Sequence, residues 1–116
     1  MTKLTDGTDG ADGTDDVVVT RNEDERRWEA RVGGVLAGFA AYRLTDGRIV
    51  FTHTEVEPAF EGRGVGGALA RHALDEVEAE GTRRVVPLCP FFRSWIRRHP
   101  DYLALVEGGS TGALDP

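Results

Sequence analysis

One stretch constrains the fold of this chain more than any other: Val56-Glu57-Pro58-Ala59-Phe60-Glu61-Gly62-Arg63-Gly64-Val65-Gly66-Gly67-Ala68-Leu69. An apolar strand is stopped by a proline and passes through four glycines into an amphipathic helix. Glycine lets the backbone bend sharply and lie close to a ligand. The free N–H groups at a helix N-terminus point at an anion, with the positive end of the helix dipole behind them. The segment therefore reads as a phosphate-holding turn between a strand and a helix. One motif of this kind is excluded by the residues themselves, and a second is not continued from Gly64. No Lys-Ser or Lys-Thr follows the last glycine, which removes the P-loop, and Gly64-Val65-Gly66 does not continue as G-x-G-x-x-G. What remains is R/Q-x-x-G-x-G/A, with Glu61 in its first position.

The elements around this turn follow from periodicity and turn chemistry. Val17-Val18-Val19 reads as a first strand, and Trp28, Ala30 and Val32 alternate with Arg27, Glu29 and Arg31 as a half-buried second one. Gly33-Gly34 supplies the hairpin turn. Val35 to Leu44 is apolar on both faces, as in a central strand, and Asp46-Gly47 turns it into a fourth strand, Ile49 to Val56. Val65, Leu69, Ala73 and Val77 then share one helical face, and Gly81 caps that helix. Arg84 to Leu88 is a short strand. Pro90 fits the first turn of a helix carrying Phe92, Trp95 and Ile96, which His99-Pro100 ends. The predicted order is β-β-β-β-α-β-α, an antiparallel meander feeding a β-α-β unit. The fifth strand can then lie parallel to the fourth, and where the two splay a ligand tail can insert.

The pattern at Glu61–Gly66, following a fourth strand, resembles the pyrophosphate loop of the GNAT superfamily of acetyl-CoA-dependent N-acetyltransferases. Ala37–Leu44, Phe51–Val56 and Val86–Phe91 extend the resemblance to one branch, the minimal GNAT-like acetyltransferase domain, over residues 17–106. It implies an α/β (α+β) fold with a mixed, mostly antiparallel sheet and a splayed cofactor cleft between strands four and five. It also implies that Glu61, Gly62, Arg63, Gly64, Val65, Gly66 and Gly67 hold acetyl-CoA, while backbone groups of Glu55 and Val56 bond its pantetheine arm. Glu61 departs from the Arg or Gln usual at the head of the loop, so only the backbone N–H groups are expected to hold phosphate. The branch has active-site histidine and cysteine positions that match His53 and Cys89.

The residues themselves leave two readings at each of these positions. His53 and Glu55 are two apart on one strand and share a face. With an ordinary pKa of about 6.5, a histidine can take a proton from an amine, yet His53 can equally pack under a helix with its nitrogens satisfied. Cys89 can protonate a departing thiolate, accept an acetyl group, or serve as a small buried hydrophobe. The tyrosine that larger relatives place after strand five has no direct match, because the place falls near Ile96 and Tyr102 lies beyond Pro100. Arg83, Arg84, Arg93, Arg97 and Arg98 read as a solvated basic face or as a reach toward a cofactor phosphate. Trp28, Phe39, Phe51 and Trp95 read as core.

At 116 residues and 40% hydrophobic content the chain fits one small domain. Of the net charge of -6, Lys3 against five aspartates puts -4 in the first sixteen residues, which leaves a nearly neutral body unlike a nucleic-acid binder. Those first residues repeat Asp-Gly triplets and read as a disordered acidic tail over 1–16; calcium-binding repeats would need apolar anchors that are missing. Residues 107–116 read as a flexible C-terminal tail. One cysteine rules out an internal disulfide, and no stretch approaches the ~20 apolar residues of a membrane helix. The expectation is a cytoplasmic enzyme, monomeric or weakly dimeric, with no metal, membrane or nucleic-acid partner. It would transfer acetyl from acetyl-CoA directly to an unidentified amine, on a protein or a small molecule. The alternative is a CoA- or acyl-CoA-binding module with little or no turnover, which would need neither His53 nor Cys89.

Overall fold

In the computed structural model, which describes residues 16–109, five strands and two helices follow the predicted order. The strands are β1 (Val17–Asn22), β2 (Arg27–Val32), β3 (Val35–Thr45), β4 (Arg48–Val56) and β5 (Arg84–Pro87), and the helices α1 (Val65–Glu80) and α2 (Pro90–Arg98). The sheet order is β1-β2-β3-β4-β5, antiparallel throughout except for the β4–β5 pair. Gly33 and Gly34 make the β2–β3 turn with φ of +57° and +83°, values an L side chain rarely adopts. Of the described residues, no helix is long and apolar enough to cross a membrane.

Both helices pack on one face of the sheet. Trp28, wholly buried on β2, donates from its indole N–H to Glu76 of α1 (3.1 Å), and the Phe51 ring on β4 stacks on Phe92 of α2 at 4.2 Å. Val65, Leu69, Ala73 and Val77, the helical stripe read from the sequence, are all buried against that layer. A second contact locks the helices together: Tyr102 donates to Asp75 (2.6 Å), and its ring lies 5.3 Å from Trp95.

The opposite face carries the alternate residues. Glu29 lies across from Phe39, and Phe39 from Glu55; Arg27 lies across from Ala41, and Ala41 from His53. Glu29 is buried here despite its charge, because Arg27 (2.8 Å), Arg31 (2.9 Å) and Asn22 (3.1 Å) all donate to its carboxylate. Phe39, read from the sequence as core, stands on this face half-buried under the Arg27 guanidinium, 4.7 Å above its ring.

The tail expected over 1–16 lies outside the described residues except for Asp16, and so does the C-terminal tail beyond Gly109. Glu107, read as the start of that loose tail, is held. Its N–H donates to Val85 (2.9 Å) and its carboxylate accepts from Arg48, so the ordered chain runs past residue 106 along the edge of β5.

Candidate active site

The site begins with one surplus residue. Tyr42 pairs with Phe51 but its neighbour Ala41 pairs with His53, so Thr52 is an extra residue bulged out of β4. A one-residue slip moves every later side chain to the other face of the sheet. Phe51 faces the helices, and without the bulge His53 would too. With it, Thr54 takes the helix side opposite Ala40, while His53 and Glu55 share the open side. There the His53 Nε2 lies 3.4 Å from a Glu55 oxygen, with side chains 59% and 62% exposed, and the imidazole sits 6.0 Å from the Phe39 ring. Packing of His53 beneath a helix is thereby ruled out.

The main chain of β4 is split between two neighbours. Glu57 N–H donates to Ala37 (2.8 Å), which fixes the phase of the antiparallel ladder. Alternation then directs the main chain of Glu55 and His53 toward β3, and that of Thr54 and Val56 to the other edge. β5 pairs with β4 only as far as Phe51, where Cys89 N–H makes the last bond to Phe51 C=O (2.9 Å) before the chain enters α2. Beyond that point Thr54 and Val56 face a cleft where a parallel strand would continue. The resemblance implies Glu55 and Val56 at this edge; the ladder phase gives it to Val56 and Thr54 and turns Glu55 toward β3.

Cys89 closes the base of the cleft. It is 3% exposed, and its Sγ lies 3.3 Å from the Thr54 hydroxyl. His53 and Cys89 therefore do not meet. They stand on opposite faces of the sheet, on either side of the split between β4 and β5.

The glycine turn lies at the far end of the same edge. Gly62 and Gly64 hold φ of +82° and +78°, which carries the chain from the Pro58–Phe60 turn into α1. Gly64 caps the helix with no side-chain bond, so the N–H groups of Val65, Gly66 and Gly67 have no intrahelical acceptor. Glu61 donates its own N–H to Pro58 C=O (3.3 Å), and the Arg63 guanidinium rests 5.6 Å from the Phe60 ring. The helix start is drawn tight against the sheet at Gly38 of β3. A Cβ there would lie 2.6 Å from Glu55 O, 3.2 Å from Val65 Cγ1 and 3.3 Å from Val56 Cα. A groove of about 550 Å³ leads from Gly64 and Gly67 along α1 past Arg71 and His72.

A sheet split beside a bare helix N-terminus is the layout the sequence resemblance implied, and comparison with known families decides the matter. The model of the GCN5-related N-acetyl-transferase family matches residues 27–106. The chain belongs to that family. No curated protein matches it. Membership gives this GCN5-related N-acetyltransferase domain acyltransferase-type chemistry.

Several other residues of the acetyltransferase domain have local structural partners. Tyr102 is a helix clamp on Asp75 and not a cleft residue, and burial pushes its hydroxyl above the usual tyrosine pKa. Arg93 donates to Leu88 C=O (3.0 Å) and Arg84 to Val106 C=O (2.7 Å), fastening corners of the fold, while Arg98 donates to Ser94 (2.7 Å) along its own helix. Among the described residues no His, Cys, Asp and Glu group is arranged to hold a metal ion. Thr54 is the site residue that sequence reasoning missed. Its only signal was the bulge, which has no marker in residue type.

Proposed function

We propose that the domain is an acetyl-CoA-dependent N-acetyltransferase that passes acetyl directly to an amine within a ternary complex. One observation carries the reading: the main chain of β4 at Thr54 and Val56 is free on the side where β5 has ended, and the chain runs from there through the glycine turn into the uncapped N-terminus of α1, whose Val65 packs over Gly38 of β3 beside Val56. Phosphates held on the N–H groups of Val65, Gly66 and Gly67 are thereby adjacent to an edge that bonds an amide-bearing chain. Glu61 adds no donor to that loop, and Gly62 and Arg63 shape its entry.

The split sheet supports a division of roles. A thioester lying in the cleft is reached from both faces. On the open face the exposed His53, beside Glu55, takes the proton of the incoming amine, directly or through a water. A main-chain N–H at Thr54 or Val56 supports the carbonyl oxygen as charge develops on it. On the helix face Cys89 gives its proton to the departing thiolate. The acceptor approaches over a sheet face on which neither helix packs, an arrangement suited to an amine on a protein side chain or terminus.

Calorimetric titration with CoA tests the cofactor assignment. Gly67→Glu places a carboxylate beside the loop, where a Cβ meets only Trp95 Nε1 at an ordinary 3.6 Å, so the fold should persist. The expected result is CoA binding weakened by roughly tenfold or more, ~1.4 kcal/mol. Unchanged affinity in a folded variant would remove the loop from the site.

A further inference from the structure

The bulge at Thr52 delivers an unassigned residue into the cleft, and we infer that Thr54 is a positioning residue for proton delivery by Cys89. This rests on the reading of Cys89 as the proton donor. Three observations converge on Thr54. Its hydroxyl lies 3.3 Å from Cys89 Sγ, within reach of a hydrogen bond in which either atom donates. Its main chain faces the cleft edge by the phase of the ladder. Its partner across the strand pair is Ala40, a wholly buried small residue that leaves the hydroxyl directed at sulfur rather than at a competing polar group.

The chemistry explains why a hydroxyl belongs there. When the thioester C–S bond breaks, the sulfur leaves with the electron pair. The Cys89 S–H bond then breaks and a new S–H bond forms on the leaving sulfur, so the negative charge passes to Cys89 Sγ. Cys89 is 3% exposed, so its Sγ receives little help from water. The Thr54 hydroxyl can rotate, its oxygen accepting from the thiol in one state and its O–H donating to the thiolate in the other, a switch that a hydroxyl can make and a methyl cannot. Cys89 also sits at the N-cap of α2, whose dipole favours negative charge at that end. Water returns the proton after the products leave, and His53 releases the amine proton to solvent. No oxidant, metal or covalent enzyme intermediate is required.

Thr54→Val keeps the shape and removes the hydroxyl, while Thr54→Ser keeps the hydroxyl. Because the chain has one cysteine, its infrared S–H stretching band has a single source and reports the contact without any substrate. Thr54→Val should move that band toward the position of an unbonded thiol and Thr54→Ser should restore it. In an assay of free CoA thiol released from acetyl-CoA in the presence of an amine acceptor, Thr54→Val should lower kcat by roughly 10- to 100-fold, with KM for acetyl-CoA within a few-fold and recovery in Thr54→Ser. An unmoved band overturns the contact. A moved band with wild-type kcat overturns the positioning role. Wild-type protein with no turnover is a different failure, that of the acetyltransferase reading itself.

Discussion

Thr52 has no partner in the β3–β4 ladder, and this one residue decides which side chains meet across the site. The alternation of His53 with Glu55 was legible in the sequence, because period two fixes that they share a face. Which face they share was not, because a bulge is a property of pairing between two strands and leaves no mark in either one alone. Glu29 was hidden for a similar reason. In sequence it is one of three charged residues on an outward stripe, yet Arg31 and Arg27 from its own strand fold over it and hold its carboxyl down to about 2 from 4.5. A carboxyl depressed in the folded state contributes stability that is complete above about pH 4.5 and is lost as pH falls toward 2. Glu29→Gln should therefore lower stability by about 2 kcal/mol at neutral pH and flatten the acid limb of the stability profile between those limits. Urea denaturation from pH 2 to pH 7 reads both effects. A variant that retains the wild-type acid slope would show that Glu29 is not its source.

At the scale of elements, the glycine turn divides into two pairs with different work. The sequence presents four glycines as one ligand loop. Gly62 and Gly64 take positive φ and make the turn, whereas Gly66 and Gly67 lie inside α1 facing α2, and at Gly66 the lack of a side chain lets α2 approach. A Cβ on Gly66 would lie 2.8 Å from Phe91 Cζ, while one on Gly67 would meet Trp95 at 3.6 Å. Gly66→Ala should thus cost roughly 1–3 kcal/mol by overpacking the helix pair. Gly67→Ala should be neutral or stabilising by up to ~1 kcal/mol, since alanine is the better helix former. Thermal unfolding of the two variants measures the contrast, and equal Tm values would remove the packing role assigned to Gly66. The helices themselves were legible from Val65, Leu69, Ala73 and Val77 and from Pro90 and Gly81. The interlock of Tyr102 with Asp75 was not, because it joins residues far apart in the chain through a turn that periodicity does not register.

Across the whole molecule, the two helices sit on one face of a five-stranded sheet that is split only at the end of β4. The order of elements and the parallel β4–β5 pair were readable, since a proline stop, a glycine turn and an apolar helix stripe each have a local signature. The division of the site between two faces was not, because it depends on the bulge and on β5 ending at Pro87. That division is the central claim: Cys89 serves the thioester from the helix side, and His53 serves the amine from the open side. It separates cofactor binding from acceptor deprotonation, so one assay with two proteins tests it most directly. Free CoA thiol released from acetyl-CoA is measured over a panel of amines and proteins, for wild type and His53→Ala, beside calorimetric CoA affinity for each. The account predicts acceptor-dependent thiol release by wild type, a roughly 10²–10⁴-fold lower kcat in His53→Ala, and CoA affinity equal within a few-fold. Wild-type protein that binds CoA yet releases no thiol with any acceptor, or His53→Ala with undiminished kcat, would contradict it.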